Sequence, residues 1–122
     1  MIFSSNFKQN EVNLRLLLAR LLVEFQKDSE NLERYIAKIN KKSSENIYNA
    51  VDEIFSQLDF IENRVIFIRY GTLNEKPLTY QDVSTILGLK EEYVATIDIK
   101  AIQRLKSLGI KDSLERLINK NS

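Results

Sequence analysis

The sequence predicts an all-α protein, a helical bundle that ends in a C-terminal helix-turn-helix. Apolar residues recur at three- and four-residue spacing along most of the 122 residues. Proline occurs once and glycine three times, a composition that favours long uninterrupted helices. Gly88 separates two amphipathic stretches, where a tight turn would join two helices.

The first helix of this pair is predicted to begin just after Thr79, which can cap it. Asp82 lies three residues further on, as the partner in a capping box. Leu89 would fill the turn that follows Gly88. The inner face of the helix is predicted to consist of Val83, Ile86 and Leu87.

The second helix is predicted over residues 91–107, with one face toward the core and one toward the outside. At about 100° per residue, the core face contains Val94, Ile97, Ala101, Leu105 and Leu108. The opposite face contains Glu92, Ala95, Thr96, Ile99, Gln103 and Lys106. In a DNA-binding helix-turn-helix the outward face meets the base edges. A plain helical hairpin without nucleic acid is the alternative that this pattern alone leaves open.

Several short motifs in order, from residue 58 to residue 106, resemble region 4 of the sigma-70 family of bacterial promoter-recognition factors. They are Ile66-Phe67-Ile68-Arg69-Tyr70-Gly71, Leu78-Thr79-Tyr80-Gln81-Asp82-Val83, Leu87-Gly88-Leu89, Val94, Ile97-Asp98 and Lys100-Ala101-Ile102-Gln103-Arg104-Leu105-Lys106. The resemblance implies a helix-turn-helix that binds double-stranded promoter DNA beside RNA polymerase. It also implies that the two preceding helices hold the flap tip of the polymerase β subunit, with Phe55, Leu58, Ile61, Val65 and Ile68 near that groove.

The candidate DNA-binding residues follow from the helix-turn-helix pattern and from this resemblance. Base edges would be contacted by Glu92, Thr96, Ile99 and Gln103, with Ile99 able to pack on a thymine methyl group. The DNA backbone would be contacted by Lys90, Lys100, Arg104 and Lys106. By resemblance, phosphate would also be contacted by Thr79, Tyr80 and Gln81.

The outward face departs from the family where sequence-reading members place arginines. Those positions hold Glu91 and Ala95, and the face carries no arginine to make a bidentate contact with guanine. Glu91 and Glu92 together would repel phosphate. From Leu89 to Ser122 the chain has seven basic and five acidic residues, so we expect weak and strongly salt-limited DNA binding.

Upstream, residues 1–42 are predicted as an N-terminal helical extension and residues 43–122 as the sigma region 4-like domain, with a linker at residues 41–44. The extension would contain helices near 10–26 and 29–39, the second capped by Ser29 or Asp28. Arg15, Arg20 and Glu24 are predicted to lie off the apolar face of the first helix. That face, Leu14, Leu17, Leu18, Leu21, Leu22 and Phe25, would serve as core or as an interaction surface, for example in a homodimer.

Further helices are predicted near 44–58, from 59 to 71 and after residue 111. Asp59 and Glu62 can form a capping box, Phe60 is assigned to the packed face of its helix, and Gly71 would end that helix. Asp112 is the predicted cap of the last helix.

Composition excludes several classes of function. Net charge is +1, and the chain contains neither cysteine nor histidine. No phosphate-cradling glycine loop occurs, so we expect a protein that is not an enzyme and that binds neither metal nor cofactor. Met1 to Lys8 does not resemble a targeting segment and no apolar run is long enough to span a bilayer. We therefore expect a soluble cytoplasmic protein with no membrane partner.

Two functional hypotheses follow. The first is a DNA-binding transcription regulator that acts with RNA polymerase at promoters. The second is a sigma-like interaction module that docks to polymerase or another partner without reading DNA sequence. The sequence does not identify the target site, the sign of regulation or the chain that would melt the promoter.

Overall fold

The structure, a computed structural model, describes residues 7–120, with side chains from residue 10 onward. The expectation about a targeting segment at residues 1–8 falls almost wholly outside the described residues. The helices are α1 Phe7–Gln26, α2 Leu32–Asn40, α3 Ser44–Ser56, α4 Phe60–Tyr70, α5 Tyr80–Leu87, α6 Glu91–Ser107 and α7 Ile110–Asn119. A 3-10 turn, Ser29–Asn31, precedes α2. No strand occurs between residues 7 and 120, so the all-α prediction is confirmed.

Helix α1 is the centre of the larger hydrophobic core. Leu14 and every residue from 17 to 22 are buried, because α2, α3, α4, α6 and α7 all pack against this helix. Burial of this apolar area is the main favourable contribution to folding. The leucine face is therefore core within the single chain, and a homodimer could not use it without unpacking the bundle.

Arg20, which the sequence places off the leucine face, is nevertheless buried, with a residue exposure of only 3%. Helix α1 is covered on more than one face, so the side opposite the leucines is also buried. The Arg20 guanidinium donates hydrogen bonds to the backbone oxygens of Tyr70 (3.3 Å), Thr72 (2.8 Å) and Asn74. Arg20 thereby holds the connection between α4 and α5 against α1.

A second, smaller core holds the helix-turn-helix on α4. Its buried members are Val65, Val83, Val94 and Ile97, one or two from each of α4, α5 and α6. Leu89 packs against this cluster, as predicted for the residue after the turn. Further along α6, Ala101 and Leu105 belong to the larger core. Helix α6 is therefore fixed at both ends by different clusters.

Local capping signals account for the starts of three helices. The Ser43 side chain accepts from the backbone N–H of Asn46 at α3. Capping boxes form between Asp59 and Glu62 at α4 and between Thr79 and Asp82 at α5, which confirms both predictions. Each box satisfies two backbone N–H groups that would otherwise lack partners.

Several side chains lie elsewhere than predicted. Phe60, Ile86 and Leu108 are 75%, 57% and 50% exposed, so their assignment to packed faces is wrong. Each lies in the first or last turn of its helix or just beyond it, where neighbouring helices no longer cover the periodic stripe. Asp112 does not cap α7, since that helix already begins at Ile110, after Gly109 at φ 81°. Neither Asp28 nor Ser29 supplies a side-chain cap at α2.

The division of the chain after residue 42 stays a prediction. The larger core contains residues from both sides of that position, including Leu18, Ile39, Ile54 and Leu114. Lys42, in the expected linker, is buried with 7% exposure. Its ammonium donates a hydrogen bond to the backbone oxygen of Lys120, so this segment is tied to the end of α7.

Candidate nucleic-acid interface

The turn between α5 and α6 has the geometry that the glycine predicts. Gly88 has φ 69° and ψ 31°, the left-handed conformation that costs L-residues with a Cβ atom about 1–2 kcal/mol. The backbone N–H groups of Gly88 and Leu89 both donate to the Ser84 oxygen, at 2.9 and 3.2 Å. These bonds end α5 and reverse the chain, so that α6 can begin at Glu91.

The outward face of α6 is open to solvent. Glu92, Thr96, Ile99 and Gln103 are all exposed, and Ile99 keeps 51% of its surface free. The Thr96 hydroxyl donates to the Glu92 backbone oxygen at 3.0 Å, which leaves its oxygen able to accept another hydrogen bond. Four predicted base-facing residues therefore share one accessible face of the helix.

At the start of α5, the three predicted phosphate contacts have different environments. Thr79 and Gln81 are exposed, although the Thr79 hydroxyl oxygen already accepts from the Asp82 backbone N–H. Tyr80 is half-buried and its hydroxyl donates to Asp98 Oδ2 at 2.9 Å, so it is less available to DNA. Asp82 adds a negative charge at this helix N-terminus, which weakens its attraction for phosphate.

The predicted backbone-contacting cations also fall into two groups. Lys90, Lys100 and Lys106 are exposed and form no ion pair among residues 10–120. Arg104 pairs with Glu62, with 2.5 Å between Nη1 and Oε1. The three lysines are thus free to contact phosphate, whereas Arg104 would first have to break its ion pair with Glu62.

A buried carboxylate, Asp98, joins the three helices of this region. It is 3% exposed and accepts hydrogen bonds from the hydroxyls of Tyr70 and Tyr80, each at 2.9 Å. Asp98 Oδ2 also forms an ion pair with Arg69 Nη1 at 3.0 Å. The Arg69 guanidinium carbon also lies 4.9 and 4.5 Å from the ring centroids of Tyr70 and Tyr80, within cation–π range.

Burial raises the pKa of both tyrosines in this network, and the adjacent Asp98 carboxylate raises it further. The pKa of Tyr80 reaches about 12, and that of Tyr70 is raised more strongly because Tyr70 is wholly buried. Both hydroxyls are therefore protonated at neutral pH and act as donors to Asp98. This network fixes α6 relative to α4 and α5.

Sequence interpretation missed the roles of Asp98 and Arg20. Asp98 appeared only as part of a family motif, yet it lies beside Leu105 on the helical wheel of α6, next to the core face. A charged residue next to the core face of a helix indicates a polar partner in the interior, because a buried charge without one is costly. Arg20 carried a similar signal, because it interrupts the run of residues 16–23 that is otherwise apolar.

A short capped helix, a left-handed glycine and a second helix with a solvent-facing side define a helix-turn-helix domain. Residues 54–107 match the family described as sigma-70, region 4. An RNA polymerase sigma factor, sigA, of Arabidopsis thaliana is 35% identical over 60 residues, which cover 49% of this chain and 12% of that protein. No solved structure matches significantly. The chain contains a sigma-70 region 4-like domain.

The extent of the match separates the domain from its surroundings. It begins at Ile54 within α3 and ends at Ser107, the last residue of α6. Helices α1, α2 and α7 lie outside it, although α1 is the centre of the larger core.

Among the described helices none is long and apolar enough to cross a membrane. The described residues contain no cluster of three or more carboxylates that could hold a metal ion.

Proposed function

We propose that this protein is a DNA-binding transcription regulator that acts with RNA polymerase at promoters through its sigma region 4-like helix-turn-helix. The observation that carries the proposal is the exposed α6 face within a family-matched domain. Glu92, Thr96, Ile99 and Gln103 contact base edges, while Lys90, Lys100 and Lys106 contact phosphate. The protein performs no catalysis in this role.

The base contacts follow from side-chain chemistry. Gln103 can pair with the N6 and N7 edge of adenine, and Glu92 can accept from the N4 amino group of cytosine. Ile99 can pack on a thymine methyl group. With no arginine on this face, the preferred site has few directly contacted guanines.

The test is a selection from random-sequence duplexes at low salt, followed by affinity measurements over a salt series. We expect an enriched motif, with affinity that falls as salt rises because phosphate contacts release counterions. Failure to enrich any motif, together with no binding to any duplex at low salt, would contradict DNA binding.

A second candidate is an interaction module that docks to RNA polymerase, at the β flap or elsewhere, without reading DNA. The acidic start of α6 favours it, since Glu91 and Glu92 oppose phosphate. Exposed apolar side chains also favour it, with Phe60 75% and Ile86 57% accessible. The guanidinium carbon of Arg64 lies 5.7 Å from the ring centroid of Phe60, within cation–π range.

A pull-down of the purified polymerase β flap, with and without promoter DNA, distinguishes the two candidate functions. Docking alone predicts capture that persists after Gln103→Ala and is lost after Phe60→Ser. Sequence reading predicts that Gln103→Ala reduces occupancy of the selected duplex. Absence of flap capture would exclude the docking partner named here, and DNA binding would then be independent of it.

A further inference from the structure

Four lysines surround one small cavity at the ends of α2 and α7. The cavity of about 220 Å³ is lined by Lys38, Lys41, Lys42, Ile118, Asn119 and Lys120. It involves neither α5 nor α6, and none of the described residues that line it carries a carboxylate. None of its lysines forms an ion pair among the described residues. The site therefore concentrates positive charge without a compensating side chain.

Lys42 is the strongest single indication that an anion belongs here. It is only 7% exposed, yet its ammonium has a neutral acceptor, the backbone oxygen of Lys120. A buried charge without an ionic partner is costly, because burial removes its hydration. An ammonium has three donors, so this one can still donate to a ligand in the cavity.

The helix ends do not neutralise this charge. Both α2 and α7 end beside the cavity, and each C-terminus contributes about half a negative elementary charge. Against four lysines this leaves a surplus of about three positive charges. Glu115 acts electrostatically on Tyr35, one turn before Lys38, but it does not line the cavity.

We propose that this cavity is a binding site for a phosphate group, either one or two linked phosphates. Its volume lies below the range of about 300–1,000 Å³ usual for drug-sized ligands, so it suits a small anion. Lys41 is exposed, Lys38 is half-buried and Lys42 is buried. The Asn119 side-chain oxygen accepts from Lys38 Nζ at 3.5 Å, and its NH2 group can donate a further hydrogen bond to a ligand. The proposal is independent of base reading by α6.

The test is calorimetric titration of the full chain with sodium pyrophosphate, with ionic strength held constant by sodium chloride. We expect saturable binding that weakens about tenfold or more in the double variant Lys38→Gln, Lys41→Gln, because hydrogen bonds to charged groups are strong. Lys76→Gln is the control, since Lys76 is an exposed lysine that does not line this cavity. Circular dichroism verifies that the variants fold.

A second arm distinguishes a free anion from a nucleic-acid phosphate. If the source is a DNA backbone, the double variant lowers the salt dependence of duplex binding, and Lys76→Gln does not. If the source is free phosphate, pyrophosphate binds and the duplex measurements are unchanged. The proposal is overturned if pyrophosphate gives no saturable heat and the double variant leaves duplex binding unaltered. It is also overturned if the double variant and Lys76→Gln weaken pyrophosphate binding equally.

Discussion

The Tyr80 hydroxyl donates a hydrogen bond of 2.9 Å to Oδ2 of Asp98, which joins the first helix of the helix-turn-helix to the second. Tyr70 and Arg69 bind the same carboxylate from α4. Apolar packing between short helices is non-directional, whereas these bonds require defined positions. One buried acid thus adds directional contacts that help the two hydrophobic clusters to orient the outward α6 face.

Replacement of Asp98 by asparagine should strongly destabilise the fold. The amide keeps the shape but loses the charge. Its NH2 group replaces either the oxygen that accepts from Tyr70 alone or the oxygen that accepts from Arg69 and both tyrosines, so at least one hydrogen bond to an acceptor is lost. Breaking a buried ion pair costs about 3–5 kcal/mol, and we expect a loss of this order in the free energy of unfolding from urea titration.

The matched control for that measurement is Asp112→Asn, at an exposed position in the first turn of α7. We expect a change within about 0.5 kcal/mol, as for most surface substitutions. Equal stability of the two variants would show that the Asp98 network is dispensable.

Alkaline pH should destabilise the protein through Tyr35 and Tyr80. The pKa of each is raised to about 12 from an ordinary value of 10.0, by burial first and then by hydrogen-bonded Asp28 or Asp98. The folded state therefore holds these protons more tightly than the unfolded state. Their contribution is complete below pH 10 and is lost as pH rises toward about 12.

Urea unfolding over this pH range measures the effect. The double variant Tyr35→Phe, Tyr80→Phe should show a shallower fall in stability between about pH 10 and 12. Tyr93→Phe is the control, because Tyr93 is 51% exposed on α6. If the free energy of unfolding fell as steeply with pH in the double variant as in the parent protein, Tyr35 and Tyr80 would not be the cause of the alkaline destabilisation.

Replacement of Arg20 by methionine should loosen the connection between α4 and α5. The backbone oxygens of Tyr70, Thr72 and Asn74 would lose their donor, and each buried group left without a partner costs about 1–3 kcal/mol. Hydrogen–deuterium exchange should rise in residues 71–78 more than in α3. Arg116→Met, on the exposed side of α7, provides the control. Uniform exchange across the chain would exclude a local tether.

Sequence alone predicted the elements that depend on local signals. The capping pairs Asp59–Glu62 and Thr79–Asp82 act over three residues, so their motifs fix the starts of α4 and α5. Helical periodicity is also a local signal, and it placed Val94, Ile97, Ala101 and Leu105 correctly on the buried side of α6. The residues of the outward face were then those on the opposite side of the same helix.

The features that sequence missed depend on contacts between distant residues. Arg20 meets oxygens more than 50 positions away, and Asp98 meets Arg69 and Tyr70 on another helix. Periodicity of α1 could not show that the helix is surrounded, because that results from how five other helices pack. The lysine cavity likewise requires residues about 80 positions apart to meet.

Substitution of Gly88 tests the turn without changing any surface contact. A Cβ atom added there would have no heavy atom within 4 Å, so only the positive φ opposes it. Gly88→Ala should cost about 1–2 kcal/mol in urea unfolding. Gly88→Asn should cost less, because asparagine tolerates the left-handed conformation. An alanine variant as stable as the parent would contradict the left-handed turn.

Gln103→Ala should separate sequence reading from general attraction to DNA. Loss of a bidentate contact with a base costs about 1–3 kcal/mol, so affinity for the selected duplex should fall by about tenfold or more. Affinity for unrelated duplexes should not change, since the glutamine carries no charge. Lys106→Ala is the comparison, because loss of a phosphate contact weakens all duplexes similarly and reduces the salt slope by about one.

Both variants should fold normally, since Gln103 and Lys106 are exposed. Competition of selected against unrelated duplex in one titration measures the specificity ratio directly, at a stated salt concentration. Base reading by this face requires that ratio to fall in Gln103→Ala and to persist in Lys106→Ala. If both variants lower affinity for the two duplexes by the same factor, α6 attracts DNA without reading it, and Gln103 has no role in choosing the site.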